Sequence, residues 1–277
     1  MNAPLVLGSL VFAEFWKLQS RSFARAAWVA LTALGVGVVL FMNLMGDATL
    51  EVNGAQSVLD LSVQSGVRRA LFVRTFFFSQ AAILVLGASA LAGEYQARTL
   101  REDLLRPVPR WAVLLAKWVA LAGWSAISLV LQLVVVAIVA LIALGGPTEL
   151  TWQNVLLAHI AAWVAEVSVA AVALMVAAIT RSVQLTIAGT FLFLVIERVV
   201  GGVMSGAATF LQDVDQTPAF ARTLLELTPY LPSHAWAVWQ QVAAGQPPVV
   251  ESWVSLVLIT VVSAVVAERV FHATDVP

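Results

Sequence analysis

GEYQARTLREDLLRPVPRWAVLLAK, Gly93–Lys117, holds five basic and three acidic residues between two long apolar runs. The chain as a whole is 61% hydrophobic and only 11% charged. Its mean hydropathy of +0.92 exceeds what a soluble domain needs, because globular proteins cover an apolar interior with a charged surface. We therefore predict that the flanking runs lie in a membrane and that this charged stretch lies outside it.

Six apolar runs are long enough to cross a bilayer, whose hydrocarbon core of about 30 Å takes about 20 helical residues. They are 26–45, 73–92, 113–144, 154–179, 185–206 and 252–270. The prediction is an all-α, polytopic membrane protein with six transmembrane helices. No segment between the runs is long enough to fold alone, so residues 26–277 are expected to form a single transmembrane domain. The third run exceeds the membrane thickness, so it is expected to tilt, with Lys117 snorkelling at its start.

Residues 1–25 are predicted to form an amphipathic interfacial helix ahead of the first span. A helix places five apolar residues on one stripe and three charged residues elsewhere. The stripe is Leu7, Leu10, Val11, Phe15 and Leu18, and the charged residues are Glu14, Lys17 and Arg21.

Basic residues indicate the orientation, because cytoplasmic segments of membrane proteins are enriched in arginine and lysine. Ten of them fall on the side that holds both termini, against four on the other side. The first set is Lys17, Arg21, Arg25, Arg98, Arg101, Arg106, Arg110, Lys117, Arg181 and Arg269, and the second is Arg68, Arg69, Arg74 and Arg222. We therefore expect a multi-pass protein of the inner (cytoplasmic) membrane with both termini in the cytoplasm.

The remaining composition excludes several kinds of site. A net charge of −1 gives no general attraction to nucleic acid, so no nucleic-acid partner is expected. The chain has no cysteine, which excludes disulfides, thiolate metal ligands and cysteine nucleophiles.

Two connections on the outer side are longer than a chain reversal needs. Residues 46–72 are polar and mixed, whereas 207–251 contain five prolines around the apolar segment SHAWAVWQQVAAG. In that segment Ser233 is predicted to cap a short interfacial helix, with Trp236 and Trp239 near one another at the level of the lipid headgroups.

The charged stretch itself predicts a short cytoplasmic helix. Thr99 and Glu102 have the spacing of a capping box, in which each side chain accepts the backbone N–H of the other residue. Pro107 and Pro109 end the helix, because proline lacks the N–H donor and restricts the residue before it. Leu100, Leu104 and Leu105 are then available for burial, and Arg101, Glu102 and Asp103 are exposed. So short a helix is marginal alone, which implies a surface on which it docks.

This pattern resembles the permeases of the type-2 ABC transporter family. The matching residues are Glu94, Thr99, Leu100, Leu104, Leu105, Pro107, Val108, Arg110 and Lys117, and the layout of entry helix and six spans matches as well. The family often has glycine before the threonine, where this chain has Arg98. In the family, the segment is a coupling helix in a cleft of the cytoplasmic ATPase. The resemblance therefore implies ATPase contacts at Glu94, Thr99, Leu100, Arg101, Glu102, Leu104, Leu105, Arg106, Pro107 and Arg110.

The resemblance also implies the function of a permease subunit, with export as its direction. The chain has no GxxxxGK[ST] phosphate loop, so we expect it to be no enzyme and to bind no cofactor itself. ATP and Mg²⁺ would be held by a separate cytoplasmic ABC ATPase dimer. Because two nucleotide sites form between two ATPases, a second permease copy or a paralogue is expected as a further partner.

Three polar positions fall inside the predicted spans, where an isolated charge is costly and normally has a partner. They are Glu166, the Glu197-Arg198 pair, and His159 on the same helical face as Glu166. Glu166 and Arg198 are at similar depths on antiparallel helices, so they can pair as a structural salt bridge. The alternative is a polar lining of a substrate path or a lock at a dimer interface. Two possible ligands without a third do not make a metal site, and we predict neither a metal nor a catalytic residue.

Two other functions are compatible with a six-span protein. An ion-coupled secondary transporter usually has broken helices at the midplane, whereas the central spans here contain no proline. An intramembrane hydrolase would use Glu166, Glu197 and His159, but it needs a base positioned against water, usually with a metal or a paired acid. Dependence on ATP distinguishes the three functions. The sequence also has a GxxxG pattern at Gly202 and Gly206, which indicates close helix packing or a plain chain reversal.

Overall fold

The computed structural model describes residues 3–45, 49–52, 55–58, 61–100, 108–145, 151–212, 223, 226–245 and 250–273. Within these ranges, six helices are long and apolar enough to cross a membrane. This confirms the predicted all-α fold with six transmembrane helices. The predicted boundary between residues 1–25 and the transmembrane domain stays a prediction.

The six spans follow an entry helix, Ala3–Ser20. Spans 1 to 6 are Ser22–Met45, Val63–Ala97, Arg110–Ala143, Trp152–Thr180, Val183–Gln212 and Val250–Ala273. They alternate in direction. The entry helix and the connection between spans 2 and 3 therefore lie at one end of the bundle, here called the Lys117 end. The opposite end is called the hairpin end, after the antiparallel strands β1 (Thr49–Val52) and β2 (Ala55–Val58) that follow span 1.

Spans 2 and 4 form the centre of the bundle. In their most apolar stretches 61% and 67% of the residues are buried, against 22% to 28% in spans 1, 3, 5 and 6. Span 4 packs against spans 2, 3, 5 and 6, and the entry helix packs mainly against span 3. Polar side chains on the two central helices therefore lie inside the protein.

Span 2 begins at Val63, ahead of the predicted 73–92. Ser62 caps it, because its hydroxyl accepts the Ser65 backbone N–H at 3.1 Å, and Val67 and Leu71 are buried. The end of the predicted 46–72 loop is therefore helical. Span 2 is also interrupted by a π-helical turn at Arg74–Phe78, a kind of turn that often marks functional sites.

Two short helices, Pro232–Trp236 and Val238–Ala243, precede span 6. The predicted cap at Ser233 is wrong, because the helix begins one residue earlier at Pro232, whose fixed φ suits a first helical turn. Trp236 and Trp239 are each only 4% exposed, and the Trp236 indole N–H donates to the Ser168 hydroxyl at 3.1 Å.

Span 5 makes its close contact at Gly201 rather than at the GxxxG pair. A Cβ atom at Gly201 would lie 3.1 Å from Ser233 Cβ and closer still to its hydroxyl. A Cβ atom at Gly202 or Gly206 would meet nothing within 4 Å. Gly201 thus lets the short helix Pro232–Trp236 approach the backbone of span 5.

Candidate functional site

Four charged side chains meet at the Lys117 end, and we call them the Lys117 cluster: Glu14, Lys17, Glu94 and Lys117. The Lys117 ammonium donates to Glu14 Oε2 at 2.8 Å and to Glu94 Oε2 at 2.6 Å. Lys17 donates to Glu14 Oε1 at 2.8 Å and lies 3.5 Å from Glu94 Oε1. Two carboxylates and two ammonium groups leave the cluster neutral, and it joins the entry helix to spans 2 and 3.

The cluster corrects two predictions from the sequence. Lys117 does not snorkel towards water, because it is 1% exposed and held by two carboxylates. Glu14 does not lie on the solvent face of the entry helix but is buried between Leu10 and Leu18. The apolar stripe predicted for that helix therefore includes a carboxylate, which the opposing Lys117 neutralises. Among residues 7–20 of this helix, whose burial is described, the large exposed apolar residues are Phe12 and Trp16.

Span 2 ends at the cluster with a left-handed residue. Arg98 has φ +59°, and the Thr99 N–H bonds back to the Glu94 carbonyl at 3.1 Å, as in a Schellman motif. Arginine thus takes the conformation that glycine adopts most easily, which accounts for the geometry at the position where the chain departs from the family. Leu100, which follows, is fully buried.

The rest of the predicted coupling helix, including the second half of the capping box, lies outside the described residues. The residues concerned are Arg101, Glu102, Leu104, Leu105, Arg106 and Pro107. On the far side, Arg110 begins span 3 and donates to the backbone carbonyls of Phe271 and His272 at 3.2 and 3.1 Å. Both flanks of the segment are therefore tied to the bundle, one through Glu94 and the other through Arg110 and Lys117.

A second set of polar residues, the Arg74 cluster, lies inside the bundle. Arg74 is fully buried and pairs with both carboxylate oxygens of Glu166, each at 3.3 Å. Its remaining bonds go to the Ser128 hydroxyl at 2.9 Å and the Gln132 amide oxygen at 3.2 Å, and the Ser125 hydroxyl donates to Glu166. The cluster joins spans 2, 3 and 4 and satisfies four of the five guanidinium N–H groups.

The predicted pairing of Glu166 with Arg198 is wrong. Arg198 instead donates to the Gln80 amide oxygen at 2.8 Å and lies over the Phe76 ring, 5.4 Å from its centroid. Glu197 is 8% exposed and lies beside Ser233. His159 shares the face of Glu166 as predicted, but its Nδ1 is 2.8 Å from the Val155 carbonyl. Glu166 and Glu197 therefore have different neighbours, Arg74 for the first and Ser233 for the second.

Sequence reasoning missed Arg74 as the partner of Glu166. The prediction started span 2 at residue 73, so Arg74 counted as an outer boundary residue. The missed signal was Ser62, a capping residue followed by Val63, Val67 and Leu71 at helical spacing. Extending the helix to that cap would have placed Arg74 more than two turns inside span 2.

Comparison with protein-family models matches residues 19–276 to the model described as ABC-2 family transporter protein. The chain belongs to the ABC-2 transporter family. A comparison with curated proteins finds no match. Membership makes this ABC-2 chain a permease, the membrane subunit of an ABC transporter, and implies an ABC ATPase as partner. With its six apolar helices, it is a multi-pass membrane protein.

The family match covers the segment between spans 2 and 3 as well as the Arg74 cluster. It agrees with the resemblance seen in the sequence, and it favours an ATP-dependent function over the two alternatives. The individual ATPase-contact residues of this ABC-2 chain stay predictions.

Proposed function

We propose that the chain is the permease subunit of an ATP-driven exporter in the inner membrane, with both termini in the cytoplasm. It would work as a dimer with a second copy or a paralogue, driven by two cytoplasmic ATPase chains that hold ATP and Mg²⁺. The export direction rests on the family resemblance. The orientation rests on the distribution of arginine and lysine.

The observation that carries the proposal is the anchoring of the segment between spans 2 and 3. Glu94 and Lys117 lie on either side of this segment, and both are buried. The Lys117 ammonium nitrogen lies 2.6 Å from Glu94 Oε2. Arg110 connects the segment to the end of span 6. A force applied to a segment held at both flanks passes to spans 2, 3 and 6 as rigid bodies. Closure of an ATPase dimer on the segment would therefore move the bundle.

The entry helix completes this arrangement. Phe12 and Trp16 point away from the bundle, 65% and 58% exposed, and aromatic side chains of this kind favour the membrane interface. The helix would lie along the cytoplasmic surface of the bilayer while Glu14 holds it to Lys117. The coupling segment would thus be braced against the membrane as well as against the spans.

The test is stimulation of ATP hydrolysis by the permease. Leu104→Asp puts a charge on the apolar face of the coupling helix, so the variant should insert normally but lose its ATPase partner on purification and lose stimulated hydrolysis. Leu227→Asp is the matched control, because Leu227 is 50% exposed at the hairpin end. This variant should keep both its ATPase partner and the stimulated hydrolysis. Full stimulation by the Leu104 variant would contradict docking. A wild-type chain that transports without any ATPase would indicate a secondary transporter.

A further inference from the structure

A cavity of about 200 Å³ lies at the hairpin end, between spans 2 and 5 and the two short helices. Its wall includes Gln80, Arg198, Ser233, Trp239 and Gln240, together with Phe76. Neither ion cluster contributes to it. The transport mechanism proposed above leaves this cavity without a role.

Arg198 supplies the charge of the cavity. Gln80 accepts one of its N–H groups, and the Phe76 ring lies under the guanidinium. Among the described residues, no carboxylate forms a contact ion pair with Arg198. The adjacent Glu197 attracts the guanidinium electrostatically, but its carboxylate lies beside Ser233. The guanidinium therefore lacks the directly bonded counter-ion that a charge within a transmembrane helix normally has.

The position of the cavity suggests where that counter-ion comes from. Arg198 is fifteen residues along span 5 from Val183, which is about 22 Å at 1.5 Å per residue. It therefore lies deep in the leaflet at the hairpin end, within reach of the headgroups for a long arginine side chain. Phe76, in the cavity wall, is 61% exposed, so an acyl chain can reach it.

We propose that this cavity binds the phosphate of an anionic membrane lipid. The free N–H groups of Arg198 suit phosphate oxygens, since a guanidinium binds phosphate in a bidentate manner. The Gln240 side chain offers a further hydrogen bond, and one acyl chain lies along the exposed face of Phe76. Lipid binding at this site requires no ATPase, so the test of this proposal is independent of the test of the proposed function.

The test uses purified protein and two brominated lipids, phosphatidylglycerol and phosphatidylcholine, with tryptophan fluorescence as the readout. Bromine quenches tryptophan on contact, and Trp236 and Trp239 both line the cavity. Brominated phosphatidylglycerol should quench the wild type more strongly than phosphatidylcholine. Arg198→Gln should reduce this preference several-fold, and Arg198→Lys should keep most of it. Arg269→Gln is the control, because the Arg269 side chain is 83% exposed at the Lys117 end.

Two results would overturn the proposal: equal quenching of the wild type by both lipids, or a preference that survives Arg198→Gln. Because Arg198→Lys keeps the charge, its behaviour separates loss of binding from failure to fold. Inorganic phosphate at constant ionic strength tests the source of the anion. It should not displace the lipid, since it lacks the acyl chain, and displacement at low millimolar concentration would identify a soluble anion and refute the lipid.

Discussion

Ionisable residues of the Lys117 cluster and the Arg74 cluster are held in neutral groups. Arg74 and Glu166 are both almost fully buried and form a two-point ion pair. Ser125, Ser128 and Gln132 make further hydrogen bonds to the pair. Such a pair costs desolvation, and its net stabilisation is small when compared with a well-packed apolar pair. Removing only one of the two side chains is strongly destabilising, because it leaves the other charge buried and unpaired.

Glu166→Ala should therefore lower the free energy of unfolding by about 3–5 kcal/mol. Arg74→Met combined with Glu166→Leu should recover most of that loss, since neither charge then remains. Denaturation in mixed detergent micelles measures the free energy of unfolding of the single and the double variant. Glu226→Ala is the control, because Glu226 is an exposed carboxylate at the hairpin end. A loss no larger than that of the control would mean that the pair does not stabilise the fold.

The sequence predicted that Glu166 needs a counter-charge, but it did not identify the residue that supplies it. A charge in a span predicts a counter-charge on physical grounds, and Glu166 has one. Arg198 was chosen because its depth on a neighbouring helix matched. Arg74 was missed because an arginine at an assumed span boundary needs no partner, and only the true start of span 2 places it inside.

At the scale of elements, the entry helix owes its position to a charge. Most of the stability of a helix in a protein comes from packing of one face, and this helix of 18 residues buries Leu10 and Leu18 with Glu14 between them. The bond that Lys117 donates to Glu14 fixes the register of the entry helix along span 3, whereas the bond from Lys17 to Glu14 lies within the entry helix.

Lys117→Met should loosen the entry helix, because it leaves Glu14 and Glu94 close together with only Lys17 to neutralise them. Amide hydrogen exchange of residues 7–20 should become faster, whereas Lys117→Arg should restore much of the protection. Lys17→Met provides the matched comparison. The Lys17 side chain is 41% exposed, so its loss should have a much smaller effect. If the two methionine variants speed up exchange equally, burial of Lys117 does not add to the stability of the entry helix.

The elements predicted best were those with the longest apolar runs. Spans 1, 3, 4 and 6 match their runs closely because hydropathy alone determines them. Span 2 was predicted too short because residues 63–73 mix polar and apolar side chains, and only their helical spacing marks them as part of the span. The short helix at Pro232 was displaced by one residue because both proline and serine can begin a helix.

At the scale of the whole molecule, four spans expose apolar faces around two buried central ones. That arrangement suits a body surrounded by lipid and a partner permease. Its orientation in the membrane can be tested directly, because the natural chain contains no cysteine and any introduced thiol is unique.

Gln96→Cys and Glu226→Cys place such thiols at opposite ends of the bundle, each at an exposed position. With both termini in the cytoplasm, a membrane-impermeant maleimide should label the Glu226 variant in intact cells. It should label the Gln96 variant only after permeabilisation. The reverse labelling pattern would show that the topology is inverted. The Lys117 end would then lie outside the cytoplasm, where ATP is not available.

The layout of the whole molecule was also what linked the sequence to its family. Six runs and an amphipathic start supported the resemblance that the residues between Glu94 and Lys117 carry, and the family match confirms it. The lipid-facing cavity at Arg198 was beyond prediction, because Gln80, Arg198 and Gln240 are far apart in sequence and meet only in the fold.

The π-helical turn of span 2 sets the rotational phase between the two ion clusters. Arg74 and Glu94 are twenty residues apart, which in an unbroken α-helix is a rotation of about 200°, so they would face opposite sides. The extra residue in the π turn reduces this by about 100° and brings both side chains towards the interior. Straightening this turn into α-helix with all its residues kept would therefore turn one of the two clusters away from the interior. Deletion of one residue from 75–78 would straighten the helix and keep the relative direction of Arg74 and Glu94, because nineteen residues of unbroken α-helix also give a rotation of about 100°.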